Sequence, residues 1–495
     1  MSSTPVSNRQ IRWLFLRVLG LTYLAAFGSL RAQLRGLYGS RGIAPIRDRV
    51  ADARSEGTPW RELPSLFRLG ASDRTLVRSC NLGLVAAALL TLNVAPRASL
   101  AALWSLYLSF VSAGGIFLAY QWDALLLETT VHALLLAPPG ALPKLGRAEP
   151  PTAAVLLLRW LAFRLHRQSG QAKITSLDPT WRDRTACHYH FETQPLPTRV
   201  GWYVHQLPHP FLRLATRAVL VCERYAPFLA FAPRPLRKAG FCLLSGLQAA
   251  IALTGNYAFF NLLSEALVLC LLDDRALPQR LHSGVRRGKP AGVLRQVVTG
   301  LASALVFVVS VAEQTGRRSY RRLPRAARRV IYELQPLASI NTYGLFSIMT
   351  TRRREIVIEA SMDGENWREY EFRYKPGAVD SPPRWVAPHQ PRLDWQMWFA
   401  ALEAPQAWFV RFLLRLLEAS PDVLALIEKA PFGERRPRYV RAMIYDYRET
   451  STRERFRTGA WWRREHGRVY FPAVALAPGV PQARLSLRKE GVSQT

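Results

Sequence analysis

Eight apolar segments occupy the first 315 residues of this 495-residue chain: 11–30, 82–94, 99–118, 124–136, 152–165, 211–232, 241–272 and 293–311. About 20 apolar residues are enough to cross the ~30 Å hydrocarbon core of a bilayer. Backbone inside that core has to satisfy its own hydrogen bonds, so segments of this kind span as helices. The stretch 241–272 is interrupted at Gly255-Asn256 and reads as two helices in a hairpin, which makes eight or nine spans. The shorter segments span only if flanking residues join the helix. Trp104, Tyr120, Trp122, Trp160, Trp202 and Tyr203 stand near segment ends, as interfacial anchors do. The first segment contains Arg17 and is followed by Gly39-Ser40-Arg41-Gly42 in place of a small-x-small cleavage site, so it reads as a retained anchor.

Charge narrows the partners. The chain has 67 Lys plus Arg against 35 Asp plus Glu, for a net charge of +32. Sixty of the basic residues are Arg and seven are Lys, a bias that points to a GC-rich coding sequence and a bacterial source. The Arg residues flank apolar segments, where they meet anionic headgroups, so membrane lipid is an expected partner. No compact basic module with interleaved aromatics occurs, and nucleic acid is not expected. Basic loops fall on both sides of a nine-span arrangement, which leaves the orientation open. None of the five Cys lies in a Cys-x-x-Cys, which argues against thiol–disulfide exchange.

Beyond residue 311 the pattern changes. Arg317, Arg318, Arg321, Arg322, Arg325, Arg328 and Arg329 form a juxtamembrane cluster. Residues 355–360 and 367–374 flank an Asp363-Gly364 turn and read as a β-hairpin. Residues 439–447 are a second strand candidate and 461–471 close the domain. Ser420-Pro421 reads as the cap and first residue of a helix reaching about Lys429. Between them, 394–417 carries an amphipathic stripe that includes Trp395, Trp398, Trp408 and Phe412. Such stripes are normally core; exposed, this one would offer an apolar surface. The expected organisation is a polytopic α-helical domain over 1–313 and a basic linker over 314–330. An α+β domain with a β-sandwich or jelly-roll-like sheet follows over 331–475, then a loose tail over 476–495.

The most polar stretch among the spans is 170–210. If 188–192 is extended, His188, His190 and Glu192 share one face. With His205 they resemble a metal-ligand set, and with Asp178 they are candidates for acid/base work; packing as a hydrogen-bonded loop is the competing explanation. Asp123 and Glu128 open an apolar run, where an acid requires a partner, most simply an Arg or a helix N-terminus. No Gly-x-Ser-x-Gly elbow, Walker loop or His-Glu-x-x-His occurs, and no cofactor is expected.

Several strings resemble the lipase maturation factor family. They include Asp178-Pro179-Thr180-Trp181, His188 to Pro195, His205-Gln206-Leu207-Pro208, Asn341 to Phe346, Tyr374-Lys375-Pro376-Gly377 and Pro382-Pro383-Arg384. The longest is Ala387-Pro388-His389-Gln390-Pro391-Arg392-Leu393-Asp394-Trp395-Gln396-Met397-Trp398-Phe399. The resemblance covers residues 10 to 470. It implies a multi-pass membrane protein, of the endoplasmic reticulum in animals, that acts as a chaperone in the folding and assembly of secreted lipases. It implies client or structural roles for Asp178, Trp181, His205, Gln206, His389, Gln390, Asp394, Trp395 and Trp398. A bacterial source would place the protein in the inner membrane, with a lipase or another exported protein as client. Gly39 to Pro45 is similar to the vitamin K-dependent carboxylase type of membrane domain, and Glu359 to Trp367 to a hairpin of discoidin-type jelly rolls. The alternatives are an integral membrane enzyme using His188, His190, Glu192 and Asp178, and a lipid-binding or transport scaffold.

Overall fold

The computed structural model describes residues 7–144, 149–278, 292–314, 324–477 and 485–487. Arg317, Arg318, Arg321, Arg322 and most of the tail lie outside the described residues. The helical half runs α1 (Arg9–Tyr38), α2 (Ile46–Ser55), α3 (Asp73–Thr91), α4 (Pro96–Gly114), α5 (Gln121–Leu136), α6 (Thr152–Thr175), α7 (Pro179–Arg182), α8 (Ala186–Thr193), α9 (Arg199–His205), α10 (His209–Tyr225), α11 (Arg234–Thr254), α12 (Phe260–Leu269), α13 (Val293–Gln314) and α14 (Arg325–Leu334).

Among the described residues, four helices are long and apolar enough to cross a membrane: Arg9–Tyr38, Pro96–Leu118, Arg234–Thr254 and Val293–Ala312. The other apolar segments are also helical, but α6 carries Arg159, Arg164, Arg167 and Lys173, and α12 has only ten residues. The first two spanning helices are half buried within the protein, at 56% and 50%, whereas α11 and α13 bury only 17% and 22%. Leu243, Leu253, Val298, Leu301 and Leu305 accordingly present an outer apolar surface, suited to lipid.

Local chemistry sets the helix ends. Ser72 caps α3 by accepting from the Thr75 N–H. The start of α1 is closed from far along the chain: Asp274 accepts from the N–H groups of Arg9, Gln10 and Ile11 at 2.9, 3.0 and 3.0 Å. Three amides that have no partner within the helix thereby meet a carboxylate at the positive end of the dipole. A side chain at Gly83 would collide with the Phe27 ring, so this glycine sets the close approach of α3 to α1.

The C-terminal half is built on antiparallel strands β1 (Arg353–Ser361), β2 (Arg368–Glu369), β3 (Glu371–Phe372), β4 (Ile427–Lys429), β5 (Tyr439–Glu449), β6 (Trp462–Leu476) and β7 (Leu485–Leu487). One sheet has the order β2-β1-β5-β6-β7, with Ile356 opposite Ile444, and β3 pairs β4 in a second. Gly364, at φ 85°, turns β1 toward β2. The layer against the large sheet is helical: α15 (Arg392–Ala400) packs on β1, and α16 (Ala407–Leu417) packs on β5 and β6 through Phe409, Tyr470 and Phe471. The helix expected to reach Lys429 stops at Leu424, because residues 427–429 pair with β3 instead.

Candidate functional site

The two halves meet along a buried seam. Asp123, at the start of α5, is fully buried. It accepts from both terminal nitrogens of Arg392 at 2.9 and 3.0 Å and from the Tyr107 hydroxyl at 2.5 Å. One turn on, Glu128 accepts from Arg164 at 2.6 Å, from Tyr343 Oη at 2.6 Å, and from the Asn341 backbone N–H and side-chain amide at 2.9 and 3.1 Å. The partner anticipated for each acid is therefore an Arg. Such a pair survives burial only when good geometry and added hydrogen bonds offset desolvation, and both carboxylates have that support.

Strings singled out in the sequence converge on this seam. Gln390 exchanges backbone hydrogen bonds with Ser29 Oγ, its carbonyl accepts from Gln33 Nε2 at 2.6 Å, and its Oε1 accepts from Trp122 Nε1 at 3.0 Å. Gln396 donates to the Ile116 carbonyl and to Tyr120 Oη at 2.9 and 3.0 Å. Trp398 Nε1 donates to the Thr193 carbonyl at 2.8 Å. Trp395 is buried against Trp122 and Tyr120. Asp178 caps α7 through Thr180 and reaches across to the Met349 N–H at 2.7 Å, while Trp181 Nε1 donates to the Phe346 carbonyl. Burial works to raise the Asp178 pKa, but the bonds from Met349 and Thr180 outweigh it and hold the carboxyl below its ordinary value.

Within the sheet half, Asp394 accepts from the Tyr374 and Lys375 N–H groups at 3.0 Å each, and burial pushes it up to about 6. His389 packs against the Tyr374 ring, and burial, with Arg392 and Arg373 nearby, pushes it down to about 4. The aromatic stripe is mainly core: Trp395, Trp408 and Phe412 are buried, Trp398 is half-buried, and Phe399 lies at the edge.

The 170–210 stretch departs from the sequence expectation. It folds as α7, α8 and α9, so His188, His190 and Glu192 do not share a strand face. On a helix, His188 and Glu192 lie one turn apart and His190 points elsewhere. His190 places Nε2 at 3.2 Å from Tyr257 Oη and is pushed down to about 4, chiefly by burial. Among the described residues, no group of three His, Cys, Asp or Glu is placed to hold a metal ion, so the set His188, His190 and His205 does not form. Of the four residues of the enzyme alternative, His188 and Glu192 line one cleft, whereas Asp178 is engaged with Thr180 and Met349 and His190 with Tyr257.

His188, Glu192, His205 and Gln206 instead line a cleft of about 810 Å³ between α8, α9 and the adjacent ends of β5 and β6. His188 and His209 meet Nδ1 to Nδ1 at 2.9 Å. Burial, with His188 and His209 close by, holds His205 below its ordinary value despite the opposing pull of Glu192. Glu449 lines the same cleft and was invisible to sequence reasoning, because Arg448-Glu449-Thr450 carries no motif. Burial, with Glu192 beside it, holds Glu449 well above the ordinary carboxylate range, Arg353 notwithstanding.

Comparison with known proteins agrees with this two-part build. The family model described as "Lipase maturation factor transmembrane domain" matches residues 10–279, and "Lipase maturation factor C-terminal domain" matches 339–472. Lipase maturation factor 2 of Gallus gallus is 34% identical, over 94% of this chain and 82% of the relative. The Homo sapiens counterpart is 33% identical, over 98% and 85%. Lipase maturation factor 1 of Mus musculus is 31% identical, over 94% and 87%. No solved structure matches. With both family models matched in order, and with relatives above 30% identity along nearly the full chain, this protein belongs to the lipase maturation factor family.

Proposed function

We propose that this protein is a membrane-anchored maturation factor that assists the folding and assembly of a secreted protein, a lipase in the first instance. The observation that carries this reading is the match of the two lipase maturation factor models to 10–279 and 339–472, covering both sides of the seam. Assembly intermediates expose apolar surface and aggregate, and a membrane-held binder suppresses that loss without chemistry of its own. Nine spans with a cytosolic N-terminus put the 170–210 stretch and the sheet half on the exoplasmic side, where a secreted client passes. The membrane is that of the endoplasmic reticulum, or the inner membrane if the source is bacterial. The domain limits 1–313, 314–330 and 331–475 belong to the same proposal.

The test is deletion of the gene in the organism that carries it. The specific activity of each secreted lipase is then measured per unit of lipase protein. A fall with the transcript unchanged is expected and names the client. Normal specific activity for every lipase overturns the reading.

A further inference from the structure

Two arginines of the helical half share an acceptor instead of holding a carboxylate. Arg97, in the first turn of α4, donates from Nε to the Ala137 carbonyl at 3.0 Å. Arg295, in the first turn of α13, donates from Nη2 to the same carbonyl at 2.9 Å. Ala137 closes α5, so one oxygen holds two guanidinium groups side by side where α5 ends and α4 and α13 begin. A helix C-terminus offers only about half a negative charge, against two full positive ones. Among the described residues neither arginine forms an ion pair, and Arg295 Nε is buried without a hydrogen-bond partner.

Other arginines at helix starts in this half are balanced. Arg9 pairs with Glu149, and Arg234 and Arg237 both pair with Asp273. Arg12, whose charge repels that of Arg295, has Glu149 and Asp274 as counter-charges. Like charges brought this close away from bulk water call for an anion. Arg97 and Arg295 are only half-buried, so an anion from outside can reach them. Its surroundings narrow its identity. Leu294, Val298, Leu301 and Leu305 are exposed along one line of α13, starting at the residue beside Arg295. They recur at the spacing of a single helix face. A phospholipid matches both features: its phosphate suits the forked, charge-assisted bonds of guanidinium groups, and its acyl chain suits the leucine line.

We propose that Arg97 and Arg295 form a binding site for one anionic phospholipid, with the phosphate between their guanidinium groups and an acyl chain along Leu294, Val298 and Leu301. The cytosolic N-terminus proposed above puts the site in the leaflet that carries anionic lipid. Only that placement rests on the proposed orientation, and nothing in the site rests on the maturation reading.

The experiment titrates the purified full-length protein in detergent with dioleoyl phosphatidylglycerol or dioleoyl phosphatidylcholine and reads retained lipid by native mass spectrometry. The first phosphatidylglycerol is expected to be retained at a concentration at least about tenfold lower than the first phosphatidylcholine. Arg97→Gln together with Arg295→Gln is expected to remove that preference. Arg453→Gln together with Arg457→Gln, which removes the same charge from exposed positions between β5 and β6, is expected to keep it. Equal retention of the two lipids by the wild-type protein overturns the proposal even if the Arg97 and Arg295 variant does not fold. So does a folded Arg97 and Arg295 variant that still prefers phosphatidylglycerol. An equal loss of preference in the Arg453 and Arg457 variant would assign the effect to net charge and also overturn it. Displacement of the retained phosphatidylglycerol by an equal concentration of inorganic phosphate would make this a free-anion site and overturn it as well.

Discussion

The seam and the cleft lie at the same junction between the helices and the sheet, yet they treat charge in opposite ways. In the seam, Asp123 and Glu128 are fully buried, and every carboxylate oxygen has a donor. In the cleft, Glu449 is nearly as buried and has none among the described residues. One junction thus holds a closed electrostatic unit and an open one. The closed unit fixes how the halves meet, since a lone buried charge costs far more than a pair. The open one leaves Glu449 uncompensated by hydrogen bonds among the described residues, with Glu192 and Arg353 as the charges beside it.

Removing one half of a seam pair should have the largest effect. Asp123→Ala strands Arg392 and is expected to cost about 3–5 kcal/mol, read as loss of cooperative unfolding in detergent. The double change Asp123→Leu with Arg392→Met should recover most of that loss, because an apolar pair has no charge to strand. A single Asp123→Ala protein as stable as wild type would break the comparison. Next comes the lipid face, where a charge is forbidden rather than required. Leu301→Arg on α13 should cost about 2.5–3.5 kcal/mol of insertion free energy, measured in a translocon insertion assay; unimpaired insertion would remove α13 from the membrane.

Glu128→Gln comes third. It keeps the shape but weakens four charge-assisted bonds, for a loss of about 2 kcal/mol in unfolding free energy. Glu449→Gln should be the smallest, and opposite in sign. A carboxyl whose folded-state pKa is raised favours the folded protein below its unfolded pKa and loses that contribution as pH rises toward the folded value. Wild type and Glu449→Gln should therefore match near pH 4, and the variant should become the more stable by about 1–2 kcal/mol near pH 8. A variant destabilised at pH 8 would mean that Glu449 has a cation after all.

Much of the fold was legible because its signals are local. Apolar runs located the helices, although flanking residues extended them: 152–165 became Thr152–Thr175. The break at Gly255-Asn256 was readable from polarity, and its reason is tertiary. Asn256 accepts from the Val386 and Ala387 N–H groups and donates to the Leu196 and Arg384 carbonyls. Strand-forming residues located β1 and β5, whereas 461–471 was read only as the close of the domain and is part of β6. The run His188 to Glu192 was misread because it fits a strand and a helix equally, and only its packing against α9 and α10 decides between them. Sequence could say that Asp123 needed a partner, but not that the partner stands 269 residues away at Arg392. The cleft was illegible because Glu449 is defined by what it lacks, and an absent partner leaves no mark in sequence.

The Asp274 cap on α1 has a consequence for the order of synthesis. When α1 leaves the ribosome it exposes three amides whose acceptor is translated some 265 residues later. Until residue 274 has arrived, the N-terminal end of α1 stays open, and its closure draws the beginning and the end of the main helical bundle together. The N-terminal end of α1 is therefore closed by a residue that follows α12, and a chain stopped short of Asp274 lacks that closure.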